Sequence, residues 1–279
     1  MSKDSDQILV LGGPSSGKST FLMQLYGRAA SGECSLTIRS APTSLSAVSE
    51  GWKRLQQGLP PAHTPHGTDT VLTLETVDKE SRHVDITIPD YAGEDLQRMG
   101  EARRVSERWR ELASTSDHWV VMVRLSQYLD IPDLISRPIG ELASADHVPN
   151  DEAADMLPLD LLTVEVLQSL RHARLVAAVP QSRRLRLTLA LSCWDELNLP
   201  GDARPEDIAY QRLALLDSYC RARWPSSDYR VVGLSSQGRV LSDDEPAEEF
   251  IDLGPQKMGW LIDQTGAQDP DLTKLVTDE

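Results

Sequence analysis

Lys18 and Ser19 close a run of small residues that begins at Gly12, in the spacing Gly12-x-x-x-x-Gly17-Lys18-Ser19. A run of this kind is suited to gripping phosphate. Glycines let backbone N–H groups converge on an anion, and a helix starting just behind them adds its free N–H groups and positive dipole end. Lys18 is then placed to reach the β- and γ-phosphates, and the Ser19 hydroxyl to ligate Mg²⁺. Gly12, Gly13, Pro14, Ser15, Ser16, Gly17, Lys18, Ser19 and Thr20 are the candidate contacts. The flanks fit that reading. Ile8-Leu9-Val10-Leu11 reads as a strand buried on both faces, and Phe21, Leu22 and Leu25 follow at helical spacing.

Three further groups sit where predicted strands end. Thr70–Val77 and His83–Ile88 alternate around a polar turn and read as a hairpin. The second of these strands runs into Asp90-Tyr-Ala-Gly93-Glu94. A carboxylate at Asp90 can hold Mg²⁺ through water, and Gly93 leaves its N–H free for a γ-phosphate. The strand Leu185–Leu191 leads into Ser192-Cys193-Trp194-Asp195. A carboxylate at Asp195 can accept from guanine N1–H and its 2-amino group, donors that adenine does not offer. Finally Tyr229–Leu234 leads into Ser235-Ser236-Gln237, small enough to let backbone N–H approach guanine O6. Ligands of open α/β sheets bind at such carboxyl ends.

With these residues in hand the chain resembles GTPases of the Ras-like, translation-factor-related superfamily. More narrowly it resembles the bacterial double-GTPase families of conflict and signalling gene clusters. The residues that carry this are Gly12–Leu22, Asp90–Glu94 and Leu191–Leu197, and the superfamily match spans residues 8–125 and 185–238. The resemblance implies GTP/GDP and Mg²⁺ as cofactors, with Ser19, Thr64 and Asp90 as metal ligands and Lys18, Thr64 and Glu94 as catalytic groups. It also implies a base site of Ser192, Trp194, Asp195, Ser235, Ser236 and Gln237. Thr64, with Thr68 second, stands in the Gly- and Pro-rich stretch 58–70 where such proteins carry a switch threonine; His63 and His66 read as solvated. This sequence departs from the family twice. Cys193 stands where the family has a lysine whose stem lies over the base, and Glu94 stands where Ras-like enzymes orient water with a glutamine. A carboxylate beside the γ-phosphate implies slow intrinsic turnover. Arg98, Arg103, Arg104 and Arg108 fall in an expected helix Leu96–Ala113, with Arg104 and Arg108 on one face; a solvated face outweighs an arginine finger there.

The expected fold is α/β: a mostly parallel central sheet with one antiparallel hairpin strand and helices on both faces. Trp119–Leu125 supplies the strand between the metal and base elements, Ser35–Arg39 a short extra one, and Ser44–Gln57 a helix with Trp52 and Leu55 facing in. Residues 1–242 read as the nucleotide-binding domain, interrupted at about 127–183. The helical pattern from Leu161 to Leu175 fits either an inserted partner-binding helix or a core crossover helix. Asp207–Trp224 reads as one amphipathic helix, and residues 243–279 as a last helix and an acidic tail.

Charge narrows the partners. The net charge of −15 repels phosphate backbones and anionic lipid, so direct nucleic-acid binding is not expected. No apolar window is long enough for a membrane span, the opening apolar run is too short for a secretory leader, and three cysteines without metal spacing fit a reducing cytoplasm. The function expected is a guanine-nucleotide switch signalling through a protein partner, with homo- or hetero-oligomerisation left open. The alternatives are an ATP-using P-loop enzyme and a non-hydrolysing subunit of a larger complex.

Overall fold

The computed structural model describes residues 5–41, 45–61, 71–89, 92–127, 159–177 and 184–277. At its centre is a nine-stranded sheet. β1 (Ser5–Gly12), β2 (Leu36–Ile38), β3 (Val71–Asp78), β4 (His83–Pro89), β5 (His118–Arg124), β6 (Arg186–Ser192), β7 (Tyr229–Ser235), β8 (Trp260–Ile262) and β9 (Gln268–Asp269) lie in the order β2-β3-β4-β1-β5-β6-β7-β8-β9. The five inner strands β4, β1, β5, β6 and β7 are parallel, and both flanks are antiparallel.

The inner strands are apolar on both faces because both faces are covered. In β1, Leu9 and Leu11 enter one core layer while Ile8 and Val10 enter the other. The second layer is roofed by α1 (Lys18–Ser31), α2 (Leu45–Gln56) and the carboxyl-terminal segment. Trp52 of α2 seats on Gly27 of α1, where an added Cβ would lie 2.2 Å from the indole, and Leu55 is fully buried. The first layer is roofed by α3 (Ala92–Ala102), α4 (Glu107–Thr115), α5 (Leu159–Val176), α6 (Pro205–Arg212) and α7 (Ala214–Arg223). Val164, Val166, Leu167 and Leu170 of α5 are buried in that layer, so α5 is a core helix on the crossover between parallel β5 and β6.

Three sequence expectations are corrected. The helix expected over 96–113 is two helices: Arg103 adopts a left-handed φ of 51° and Ser106 caps α4 by accepting from the Trp109 N–H. Arg104 therefore lies in the break and does not share a helix face with Arg108. The helix expected over 207–224 also splits, at Leu213, whose ψ of 43° leaves the helical region. Its true start is Pro205 at the first helical position, with Glu206 and Asp207 in the first turn. Residues 243–277 are more than a last helix and an acidic tail. After a short α8 (Glu248–Leu253), left-handed Gly254 and Gly259 preclude a helix, and Trp260–Ile262 pairs with β7 instead. Leu272, Leu275 and Val276 then bury in the second layer. The sheet thus has more antiparallel strands than one hairpin supplies.

A buried polar chain holds this last segment down. His118 Nε2 meets Thr188 Oγ1 at 2.8 Å, Arg230 Nε donates to the same hydroxyl at 2.9 Å, and Arg230 Nη2 donates to the carbonyls of Lys274 and Leu275 at 2.9 Å each. Burial, and then the cations Arg186 and Arg230, hold the His118 imidazole well below its ordinary value. Its stabilising contribution is therefore intact above the unfolded histidine value and lost as pH falls below it, because the unfolded chain takes up a proton that the native state refuses. Thermal melts should show a decline below pH ~6.5 of up to about 1.4 kcal/mol per pH unit, flattened in His118→Gln. A wild-type curve identical in slope to that of the variant would contradict this.

Candidate functional site

The parallel arrangement brings the carboxyl ends of β4, β1, β5, β6 and β7 to one edge of the sheet, and the predicted groups follow those ends. Gly12 is the last residue of β1 and pairs with Met122 of β5. A Cβ at Gly12 would lie 2.7 Å from the Met122 carbonyl oxygen and 2.6 Å from Ser16 Oγ, so only glycine fits. Ser15 and Gly17 both take left-handed φ, 54° and 85°, between residues of the opposite hand. Alternation of hand turns successive N–H groups into one concavity, which is an anion nest. At Ser15 that conformation costs about 1–2 kcal/mol, strain typical of a ligand cradle.

Helix α1 begins at Lys18 with no acidic residue in its first turn, leaving its amino-terminal dipole uncompensated. Lys18 Nζ is buried. It donates to the carbonyls of Gly12 and Gly13 at 2.8 and 2.7 Å and to Ser16 Oγ at 3.2 Å. Ser16 Oγ in turn donates to Gly13 O at 2.9 Å. The loop thus folds back around the ammonium as a closed ring. Ser19 and Thr20, in the first turn of α1, are half-buried, while Pro14 and Ser15 are exposed.

At the end of β6, Cys193 turns the chain with a left-handed φ of 53°, and a 3-10 turn runs from Trp194 to Leu197. The Trp194 indole lies in the core against Gly233, where a Cβ would approach it to 2.7 Å. Its ring belongs to the core and not to the pocket. Asp195 is half-buried and accepts from Ser235 Oγ at 2.5 Å, and that hydroxyl accepts from the Gly238 N–H at 2.8 Å. The carboxylate at the end of β6 and the loop at the end of β7 are therefore locked to each other. Ser236 and Gln237 are half-buried beside them. Gly259 packs under the loop, since a Cβ there would lie 2.5 Å from the Ser236 carbonyl oxygen. Among the described residues, Ser192 Oγ is buried without a hydrogen-bond partner. Burial, and then the Glu196 carboxylate, push the Cys193 thiol up to about 12, so it is a neutral side chain and no nucleophile.

The remaining candidates divide. Gly93 is the second residue of α3, where a helix N–H has no intrahelical acceptor, and Glu94 follows it in the same turn. Asp90, Thr64 and Thr68 lie outside the described residues, as do His63 and His66. Arg98 and Arg103 face solvent, paired with Asp95 and Glu165. A separate open groove of about 1060 Å³, lined among others by Arg103, Arg110, Glu165 and His172, lies between α4 and α5 and includes none of the predicted site residues.

Sequence reasoning missed one pair. Arg124 ends the mostly apolar β5 and forms a bidentate ion pair with Glu196, at 2.9 and 2.6 Å. Hydrogen bonding to Glu196 raises the guanidinium above its ordinary value. Burial works to raise Glu196, but the bonds it accepts from Arg124 and Ser126 outweigh that and hold it low. The available signal was a lone arginine closing a buried strand at the sheet's carboxyl edge.

Among the described residues no group of three His, Cys, Asp or Glu side chains could hold a metal by itself. Mg²⁺ is usually held by one or two protein oxygens plus substrate phosphates. The half-buried Ser19 hydroxyl is a donor of the right hardness. Also among the described residues, no helix is long and apolar enough to cross a membrane.

The chain matches the profile of the family described as Double-GTPase 1 over residues 9–278. No curated protein shows detectable sequence similarity to it. Among solved structures, the GTP-bound Ski7 GTPase-like domain of S. cerevisiae is 13% identical, with a TM-score of 0.42, covering 83% of this chain and 43% of that one. The mammalian SRP receptor is 14% identical at a TM-score of 0.35, covering 82% of this chain and 90% of that one. Sup35 complexed with GDP is 12% identical at 0.37, covering 90% and 45% respectively. The chain therefore spans less than half of the Ski7 and Sup35 chains it overlaps. Overlaps this shallow do not bear on function.

Proposed function

We propose, because the chain belongs to the Double-GTPase 1 family, that it is a guanine-nucleotide-binding switch that hydrolyses GTP slowly with Mg²⁺ and signals through a protein partner. The observation that supports this best is the shared sheet edge. The nest of residues 12–19 and the Asp195–Ser235–Gly238 chain stand at carboxyl ends of the same parallel strands, one suited to a triphosphate and the other to a guanine edge.

In this reading Lys18 exchanges its bonds to the loop carbonyls for the β- and γ-phosphate oxygens. The first-turn N–H groups of α1 donate to the same anion. Ser19, Thr64 and Asp90 would hold Mg²⁺, which when bound supplies charge neutralisation on the phosphates. Asp195 accepts from the guanine, and backbone N–H groups around Ser235–Gln237 face its O6. Glu94 takes the water-side position, where its negative charge disfavours approach to the γ-phosphate and keeps turnover low without a partner's cation. Thr64 and Gly93 bracket the segments that respond to the γ-phosphate. The partner reads that response, in the bacterial conflict or signalling setting that the family resemblance suggests.

Competition against a fluorescent GTP analogue tests the reading. GTP and GDP are expected to displace it at least about 100-fold better than ATP, a difference of roughly 2.7 kcal/mol. Equal displacement by ATP would favour an ATP-using P-loop enzyme. Binding without any turnover, alone or with lysate of the native host, would favour a structural subunit.

A further inference from the structure

Cys193 leaves the base turn without a long side chain to lay toward the phosphate loop, and the neighbouring strand spans the gap. Arg124 Nε and Nη2 grip both carboxylate oxygens of Glu196, while Nη1 donates to the Ser15 carbonyl at 3.2 Å. Ser126 Oγ closes the cluster with a 2.5 Å bond to Glu196. The two side chains are only 27% and 16% exposed, so the pair is partly desolvated and its geometry is well defined. One planar guanidinium therefore joins the turn that carries Asp195 to the loop that carries Lys18.

We infer that Arg124, held by Glu196, is a positioning residue that fixes the spacing between the phosphate grip and the base-reading carboxylate. The inference rests on the proposed function and adds a coupling to it. A base can be read only by a carboxylate held at one distance from the phosphates, because a displacement of about 1 Å takes a hydrogen bond out of range. The bidentate fork and the third bond to the loop are a task for arginine; lysine is a point charge and cannot make all three contacts.

Full-length wild type, Arg124→Ala, and the swap Arg124→Glu with Glu196→Arg are titrated with fluorescent GTP and ATP analogues and with inorganic tripolyphosphate. The swap keeps the ion pair but removes the donor to Ser15, so it reports on coupling even if Arg124→Ala fails to fold. Both variants are expected to lose about tenfold or more in GTP affinity and to lose most of the GTP-over-ATP preference, while tripolyphosphate affinity changes less than threefold. A loss of packing alone would weaken all three ligands together and leave the preference intact. Retained preference in the swap, or equal loss for all three ligands, overturns the coupling. A wild type that discriminates alongside variants that discriminate equally well overturns this inference alone; a wild type that binds no nucleotide overturns the proposed function and this inference together.

Discussion

Lys18→Ala is expected to raise the GTP dissociation constant at least about 100-fold, on the order of 3 kcal/mol, since hydrogen bonds to a charged group are worth about 1.5–3 kcal/mol each and this ammonium would make more than one. The structure sharpens the reason. The Lys18 ammonium is buried and held by the Gly12 and Gly13 carbonyls, at the centre of the ring that the loop forms. Removing it deletes the cation that would meet the phosphates and also leaves two loop carbonyls without their donor. Calorimetry with GTP and Mg²⁺ is the measurement, and micromolar affinity in the variant would refute the phosphate site. Lys18→Arg should not restore binding, because a fork does not fit where a point charge sits among three acceptors.

The largest effect on stability is expected at Arg28. This side chain is 3% exposed and lies far along α1 from the phosphate loop. Its Nη1 donates to the Pro270 carbonyl and its Nη2 to the Met258 carbonyl, both at 2.5 Å. Burial lowers its pKa, with Asp271 the first group to oppose that shift, so the guanidinium is retained in the interior only because its acceptors are in place. Arg28→Ala removes two hydrogen bonds made by a buried charged donor, each worth about 1.5–3 kcal/mol, and should cost on the order of 3 kcal/mol, a large share of the 5–15 kcal/mol typical of a domain. Urea denaturation should show a lower midpoint with an unchanged slope. A loss below about 1 kcal/mol would mean that the carboxyl-terminal segment is held by its apolar contacts alone.

The inner sheet was legible in the sequence because its strands are buried on both faces, and runs such as Ile8–Leu11 and Trp119–Val123 admit no helical period. The loop was legible for a different reason: a glycine is read directly where backbone must approach backbone, as Gly12 does Met122. Breaks within helices were harder to read. Residues 96–113 and 207–224 keep an apolar spacing across Arg103 and Leu213, since both halves of each pair face the same core layer. Only the cap at Ser106 and the proline at 205 mark the true starts. The carboxyl-terminal strand was not legible, because three residues are too few to show a period and what makes them a strand is the free edge of β7. Arg124 and Glu196 lie 72 residues apart and meet only through the β5–β6 register.

The flanks of the sheet bear on how this molecule can meet others. One outermost strand, β2, has three residues and the other, β9, has two. Beside the latter, Lys274 pairs with Asp269. Strands this brief carry little outer backbone ladder of their own, and the charges on Asp269 and Lys274 at the β9 rim deter strand addition further. Along β2 and β9 the sheet is thereby guarded against the addition of a foreign strand.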